Sequence, residues 1–337
     1  MSEAKVSVVI VNWNGAKHLR VCLPSLRSQS FKSLEIIVVD NRSSDDSADV
    51  TDSFGVRWLP LEENIGLAPA LNRGAATAEG NLLLFVNNDM RFDPQFVAKL
   101  TEPFQGNEDI FATDGRQFNW DGTVQGHLAA RLTKVRPPEK SAVELVPGLY
   151  FTQQREDRST LVFMASAACM MVRRTSFEKI GGFDERLPFG YEDVEICWRA
   201  WLRDWKTLYI PDAICWHRVG SSVQSLASER FAFRGVLKGR LVFSTKLLPV
   251  RHAARTWLVS TAGLAKDISR LRWKFARDRI SVLFEMACLF PQLRRERKAL
   301  FHAVARSPEE HLHFQLRHTS DGVVTSAPTK STAAHNS

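Results

Sequence analysis

Apolar runs alternate with helically spaced apolar positions along the first hundred residues. Residues 6–11 (VSVVIV) form a continuous β-branched run, the pattern of a strand buried on both faces. Leu19, Leu23 and Leu26 then recur at helical spacing within 16–29. Residues 34–39 (LEIIVV) predict a second strand, 40–43 a polar turn and 44–53 a short capped helix. Residues 56–59 predict a third strand, 67–78 a helix and 81–86 (NLLLFV) a fourth strand. Asp93 and Pro94 predict the start of another helix, with Asp as N-cap and Pro behind it. This alternation predicts an α/β domain: a mostly parallel sheet with helices on both faces. Residues 105–160, rich in Gly, Pro and charge, read as irregular cover for a crevice or as a substrate-receiving segment. Residues 163–173 predict a buried strand with small residues at its centre. A helix opens at Tyr191–Glu192–Asp193 and runs to about Asp204, and the apolar run 208–216 ends at His217. From Ala227 to about Leu316 the pattern is helical, and the Ser/Thr/Ala-rich segment 317–337 reads as a disordered tail.

In open parallel sheets, ligands bind at the carboxyl ends of the strands. Polar residues stand at those ends here: Asn12–Trp13–Asn14–Gly15, Asp40–Asn41, and Asn87–Asn88–Asp89, with Gly66 in the loop after the third strand. Each motif alone also reads as an ordinary turn; three on one edge are harder to dismiss. Asp40 suits a pyrimidine imide or a ribose hydroxyl, and equally the cap of the next helix. Asp89 suits a hard divalent cation bridging a diphosphate, which needs at least one protein carboxylate. Glu192 and Asp193 suit either a helix cap or a general base acting on an acceptor hydroxyl. His217 is a structural histidine or a nitrogen ligand to the same metal. No GxGxxG follows the first strand, which argues against a dehydrogenase.

Composition changes this picture in two ways. With 337 residues, 44% hydrophobic and 24% charged, the chain has room for one large domain and an appendage, or for two modest domains. Its five cysteines show no CxxC pairing, so a reducing compartment is expected and a disulfide framework is not. The N-terminal apolar run reads as a strand rather than a signal peptide. The net charge of +8 is unevenly placed, since residues 230–306 hold eighteen Lys and Arg against four Asp and Glu. Such asymmetry points to an anionic partner.

Taken in order, SVVIVNWNG, VVDNRSSDDS, ENIGLAPALNRGAATAEG, LLLFVNNDM, GGFDE, YEDVEICWR and WHRVGSS resemble the family 2 glycosyltransferases of GT-A fold. The similarity is strongest to the rhamnosyltransferase-like branch of bacterial surface-polysaccharide enzymes, and it spans roughly residues 5–223. The resemblance implies a catalytic domain over 1–225, a basic amphipathic helical region over 226–316 and the tail over 317–337. It implies that Val11, Asn12, Asn14 and Asp40 hold the base and ribose of a UDP- or dTDP-sugar. Gly66, Asn72 and Gly74 would line the donor pocket, and Asn88 would flank the diphosphate. Asp89 is similar to the family's metal-binding carboxylate, with His217 completing a Mg²⁺ or Mn²⁺ site. Asp193 matches the catalytic base of an inverting transfer, and Glu192 would shape its field. The acceptor would be a saccharide or lipid-linked hydroxyl. Two departures stand out: the DxD-type motif is Asn87–Asn88–Asp89, with one carboxylate, and Ala167 stands where many relatives have Gly.

The basic region interleaves Arg and Lys with Phe, Leu and Trp, and its longest charge-free stretch is too short to span a bilayer. Amphipathic helices lying on an anionic membrane surface are expected, which would make the enzyme cytoplasmic and peripheral on the inner face of the membrane. A helical cap with a solvated basic face is the alternative; nothing resembles a nucleic-acid-binding fold. A nucleotidyltransferase would need a Gly-rich, cation-bearing loop after the first strand, which is missing. A catalytically inactive glycan- or nucleotide-sugar-binding protein would have lost Asp89 or Asp193, and both are present.

Overall fold

The computed structural model describes residues 4–123, 129–134, 136, 143–154, 156–187, 190–218, 229–304 and 306–320. Three segments on which expectations fell, 188–189, 219–222 and the tail beyond 320, lie outside the described residues.

Four parallel strands form one half of the main sheet: β1 (Val6–Asn12), β2 (Leu34–Asp40), β3 (Arg57–Pro60) and β4 (Leu82–Asn87), in the order β3-β2-β1-β4. Short β5 (Met90–Phe92) follows β4, and the second half is built by β6 (Ile110–Phe118), β10 (Thr160–Leu161), β11 (Cys169–Arg173) and β12 (Lys206–His217). β11 lies antiparallel between β4 and β6, while β6 and β12 run parallel. Hydrophobic alternation splits β1 between two cores. Val8 and Ile10 meet Leu19, Leu23 and Leu26 of α1 (Ala16–Arg27), on the face that also holds α2 (Ser47–Ser53) and α4 (Phe96–Thr101). Val9 faces the opposite core, with Leu71 and Ala75 of α3 (Leu67–Thr77) and Phe177 of α5 (Arg174–Lys179). The expected mostly parallel sheet with helices on both faces is present.

The structure differs from the sequence pattern in three places. Residues 105–160 are not irregular: they contain the central strand β6 and a separate antiparallel sheet of β7 (Ala129–Thr133), β8 (Val143–Val146) and β9 (Leu149–Gln154). β6 escaped notice because buried Thr113, Asp114 and Gln117 interrupt its apolar run. The strand expected over 163–173 begins only at Cys169. Before it the chain leaves the sheet, tied by the Ser166 N–H donating to Asp114 Oδ2 (2.9 Å). α4 starts at Phe96, one turn later than its Asp–Pro signal, because Asp93 Oδ1 accepts the Gln95 N–H (2.9 Å) in a preceding turn.

After α6 (Glu192–Trp201), the described residues form four further helices: α7 (Glu229–Leu247), α8 (Val250–Ser269), α9 (Trp273–His302) and α10 (Pro308–Ser320). They grip α6. The Tyr191 ring approaches Gly239 of α7 so closely that a Cβ there would stand 2.5 Å from it. Trp198 of α6 meets Phe243 and His311 edge-on, with centroids 5.3 and 5.1 Å apart. Beneath these rings, buried Lys246 of α7 bridges Glu195 of α6 (2.7 Å) and Asp184 (2.8 Å), and Arg199 also holds Glu195 (2.7 Å).

Candidate active site

Three of the strand ends meet through side-chain amides. Asn12, fully buried at the end of β1, donates from Nδ2 to Asp40 Oδ1 (3.2 Å) and Ser47 Oγ (2.9 Å). Its Oδ1 accepts from Asn88 Nδ2 (2.7 Å), so one amide joins the ends of β1, β2 and β4. Gly15 is required beside it, since a Cβ would collide with both the Asn88 amide and Asn12 Oδ1. Asp40 also accepts the Ser43 N–H (2.8 Å), which curls the Asp40–Ser43 turn back over the sheet edge. Asn14 adopts a left-handed conformation (φ 47°), and its Oδ1 accepts the Ser44 N–H (2.8 Å). Ser43 and Ser47 were missed in the sequence because a Ser/Asp turn is ordinary. Val11 sits at the same edge, half-buried on β1.

The residues around α3 do different work. Asn41 Nδ2 donates to Gly66 O (3.1 Å), and Gly66 takes a positive φ of 88° to open the helix. Asn72 donates to Phe183 O (2.9 Å) and accepts the Phe183 N–H (3.0 Å), tying α3 to the GGFDE turn. Gly74 lies beneath the sheet, where its missing side chain admits Val9 and Val39. In this geometry Asn72 and Gly74 brace the framework behind the edge where the donor pocket is expected.

Beyond Asn88, Asp89 and His217 converge from β4 and β12. His217 Nε2 stands 3.3 Å from Asp89 Oδ1, and both side chains are buried. His217 Nδ1 lies 3.3 Å from Gln117 Oε1. An Nδ1–H donated there turns the Nε2 lone pair toward Asp89 and the Asn87 amide (Nδ2 at 3.4 Å), the tautomer a metal ligand needs. Ligands about 2.1 Å from an octahedral ion lie about 3 Å apart along an edge, so this pair fits a divalent cation. Among the described residues no group of three His, Cys, Asp or Glu could hold a metal, so phosphate oxygens and water would fill the remaining positions. Gln117 was hidden in the sequence with the rest of β6.

Glu192 and Asp193 occupy the first turn of α6, and Asp193 Oδ1 accepts the Val194 N–H (2.7 Å). Burial, then the adjacent Glu192 charge, pushes the Asp193 carboxyl up to about 7; a backbone hydrogen bond from Ala167 opposes this. Burial likewise raises Glu192, whose Oε2 accepts the Tyr191 N–H (3.0 Å). The next residue completes a short link: the Ala168 carbonyl accepts the Asn87 N–H (3.1 Å). Two adjacent residues of one loop therefore approach the α6 carboxylate on one side and bond the end of β4, just before Asn88 and Asp89, on the other. Asp114 holds this loop through Ser166, and burial raises its own carboxyl to about 6.

Comparison with known proteins settles the family. The model of a family described as Glycosyl transferase family 2 matches residues 7–181. The chain belongs to glycosyltransferase family 2. As a glycosyltransferase it is 26% identical over 245 residues to N-acetylglucosaminyl-diphospho-decaprenol L-rhamnosyltransferase of Mycobacterium tuberculosis, covering 66% of this chain and 78% of that protein. It is 21% identical over 229 residues to poly-beta-1,6-N-acetyl-D-glucosamine synthase of Staphylococcus epidermidis, covering 67% of this chain. The match spans about half of that synthase, 52% of its length. The crystal structure of GalNAc-T7 with UDP, GalNAc and Mn²⁺ superposes with a TM-score of 0.59 at 19% identity, covering 82% of this chain and 55% of that one. The glycosyltransferase thus has the GT-A fold, with a helical region appended at its C-terminal side.

Proposed function

We propose that this glycosyltransferase inverts the anomeric centre of a UDP- or dTDP-sugar, rhamnose being the favoured sugar, as it transfers it to a hydroxyl of a saccharide or lipid-linked acceptor in cell-surface polysaccharide synthesis. The observation that supports the reading is the Ala167–Ala168 link between the raised Asp193 carboxylate and the strand end that carries Asn88 and Asp89. Asn12, Asn14 and Asp40 bind the nucleoside, with Val11 contributing backbone and Gly66 opening the pocket. Asn88 faces the diphosphate, and Asp89 with His217 would hold Mg²⁺ or Mn²⁺. A bound cation supplies charge neutralisation to the departing diphosphate. Asp193 removes the acceptor hydroxyl proton as that oxygen attacks the anomeric carbon. A carboxyl poised near 7 is ionised often enough to act and basic enough to take the proton. The names of the mycobacterial rhamnosyltransferase and the staphylococcal synthase support the surface-polysaccharide role. UDP and Mn²⁺ in the GalNAc-T7 structure support the donor and metal classes.

The test is donor binding and hydrolysis across UDP- and dTDP-sugars, with Mn²⁺, Mg²⁺ or neither, for the native protein and Asp193→Asn. Metal-dependent binding of one donor, with hydrolysis lost in Asp193→Asn, is the expected result. No binding of any nucleotide sugar in either metal would overturn the donor-site assignment.

A membrane surface is the second part of the reading, and α8 carries it. The helix is inside out: it buries Thr256, Ser260 and Asp267 and exposes Leu258, Val259 and Ile268. At the turn into α9, Leu271 and Trp273 are exposed, and Phe284 stands 72% exposed farther along. Lys266, Arg270, Lys274 and Arg277 flank them, all exposed. Among the described residues, no helix is long and apolar enough to cross a membrane. An apolar face with a basic border is suited to lying on an anionic bilayer.

A further inference from the structure

A groove of about 720 Å³ runs between α7, α8 and α9, and Pro147 of the small sheet's hairpin also lines it. Its floor is apolar, built from Phe233, Val236, Leu237 and Phe275. Four cations line it as well: Arg240, Lys266, Arg272 and Arg279. Two are spoken for, since Arg279 holds Asp267 (2.8 Å) and Arg272 stands 3.9 Å from both Asp267 and Glu229. Arg240 and Lys266 have no carboxylate within 4.0 Å among the described residues. The groove therefore offers hydrocarbon contact along its length and net positive charge, the chemistry of an amphiphilic anion.

Its two ends face different surroundings. Lys266 and Arg272 mark the end at the α8–α9 turn, beside exposed Leu271 and Trp273. Arg240 marks the other, where its guanidinium donates to Glu144 O (2.8 Å) and interacts with the Tyr191 hydroxyl. Tyr191 is the N-cap of α6, immediately before Glu192 and Asp193. A chain entering from the apolar face would thus run toward the acceptor side of the base. The cavity falls in the range of roughly 300–1,000 Å³ typical of small-ligand sites.

We infer that this groove binds the hydrocarbon chain of a lipid-phosphate acceptor, with Arg240 meeting the phosphate end. The inference rests on the transferase reading, because only an acceptor presented by a lipid needs its chain seated beside Asp193. Charge complementarity and continuity with the exposed apolar face select this occupant over a peptide helix, whose anionic and apolar groups would not lie end to end.

The experiment measures equilibrium binding of farnesyl phosphate and farnesol to the full chain in EDTA, where the metal-dependent donor site is silent. Farnesyl phosphate is expected to bind at least tenfold more tightly than farnesol, with Arg240→Gln removing most of that difference. Val236→Trp and Ala262→Trp fill the groove from two helices, and each is expected to weaken binding at least tenfold. UDP- and dTDP-sugar binding in Mn²⁺, measured on the same variants, reports whether they fold. Flotation on phosphatidylglycerol vesicles should persist in both. Farnesyl phosphate binding unaffected by a folded groove-filling variant, or no binding at all, would overturn the proposal. So would loss of flotation together with chain binding in a folded variant, which makes the groove part of a general membrane face. Chain binding without any nucleotide-sugar binding would sink the transferase reading while leaving the groove intact.

Discussion

At the scale of single residues, the site turns on one carboxylate and one glycine. Asp193 is raised from the usual carboxylate range to about 7, mainly by burial, so its proton is bound more tightly folded than unfolded. The stability it contributes is complete below pH about 4 and is lost as pH rises through about 7. Asp193→Asn cannot ionise, so thermal melts should show it more stable than the native protein at pH 8 and little different at pH 4. Its transfer rate should fall by about two to four orders of magnitude, the span ascribed to a general base. The native kcat/KM should rise with pH to a plateau just above 7. A melt at pH 8 in which Asp193→Asn is the less stable protein would contradict the raised carboxyl. Gly15→Ala tests the other side of the site. Its Cβ would strike the Asn12–Asn88 amide pair, so donor affinity should drop at least tenfold, read by calorimetric titration with UDP or dTDP.

At the scale of elements, α6 is positioned by what packs behind it. Lys246 of α7 is buried among Asp184, Glu195 and Glu296, and Arg199 shares Glu195 from within α6. Although burial pushes Asp184 up, Arg186 and Lys246 hold its carboxyl well below the usual range. Removing one partner from a buried ion network costs about 3–5 kcal/mol, because the remaining charges lose compensation. Lys246→Met is therefore expected to destabilise the fold by about that amount in urea titration. It should also lower kcat more than it raises donor KM, since α6 carries the proposed base and not the proposed nucleoside site. The same elements mark how far the sequence could be read. Strands β1, β2 and β4 announce themselves by unbroken apolar runs, and their polar ends therefore point to Asn12, Asp40 and Asp89. β6 does not, because Asp114 and Gln117 sit at buried positions for the sake of the site, and so the strand that aims His217 reads as a loop. The hydrogen bond between the Asn12 and Asn88 amides spans 76 residues, and no local pattern encodes it. The pairing of Lys246 with Glu195 is hidden for the same reason: each looks like an ordinary solvated helix charge.

At the scale of the whole molecule, the basic surplus divides into two roles. Part is spent inside the helical region, where Arg230 and Arg234 hold Asp278 and Lys238 holds Glu285. Lys266, Arg270, Lys274 and Arg277 border the apolar face of the α8–α9 hairpin, and magnitudes separate what the two kinds of side chain contribute there. A Leu, Phe or Trp moved from water into a bilayer gains about 1.5–3 kcal/mol if fully buried. A Lys or Arg near an anionic surface gains about 1 kcal/mol, and salt screens it within a Debye length of about 8 Å at physiological ionic strength. The apolar face should therefore hold the protein on the bilayer while the cations bring it there. Flotation with anionic vesicles separates the two. Leu258→Ser combined with Phe284→Ser should release most of the protein at any salt concentration, whereas Arg270→Gln with Lys274→Gln should reduce binding at low salt and matter little at high salt. Both pairs are exposed, so donor binding should be unchanged in each. If the serine variant floats as well as the native protein while the glutamine variant does not, the hairpin is a solvated basic cap attracted by charge alone. Its inside-out helix would then need a protein partner to cover it.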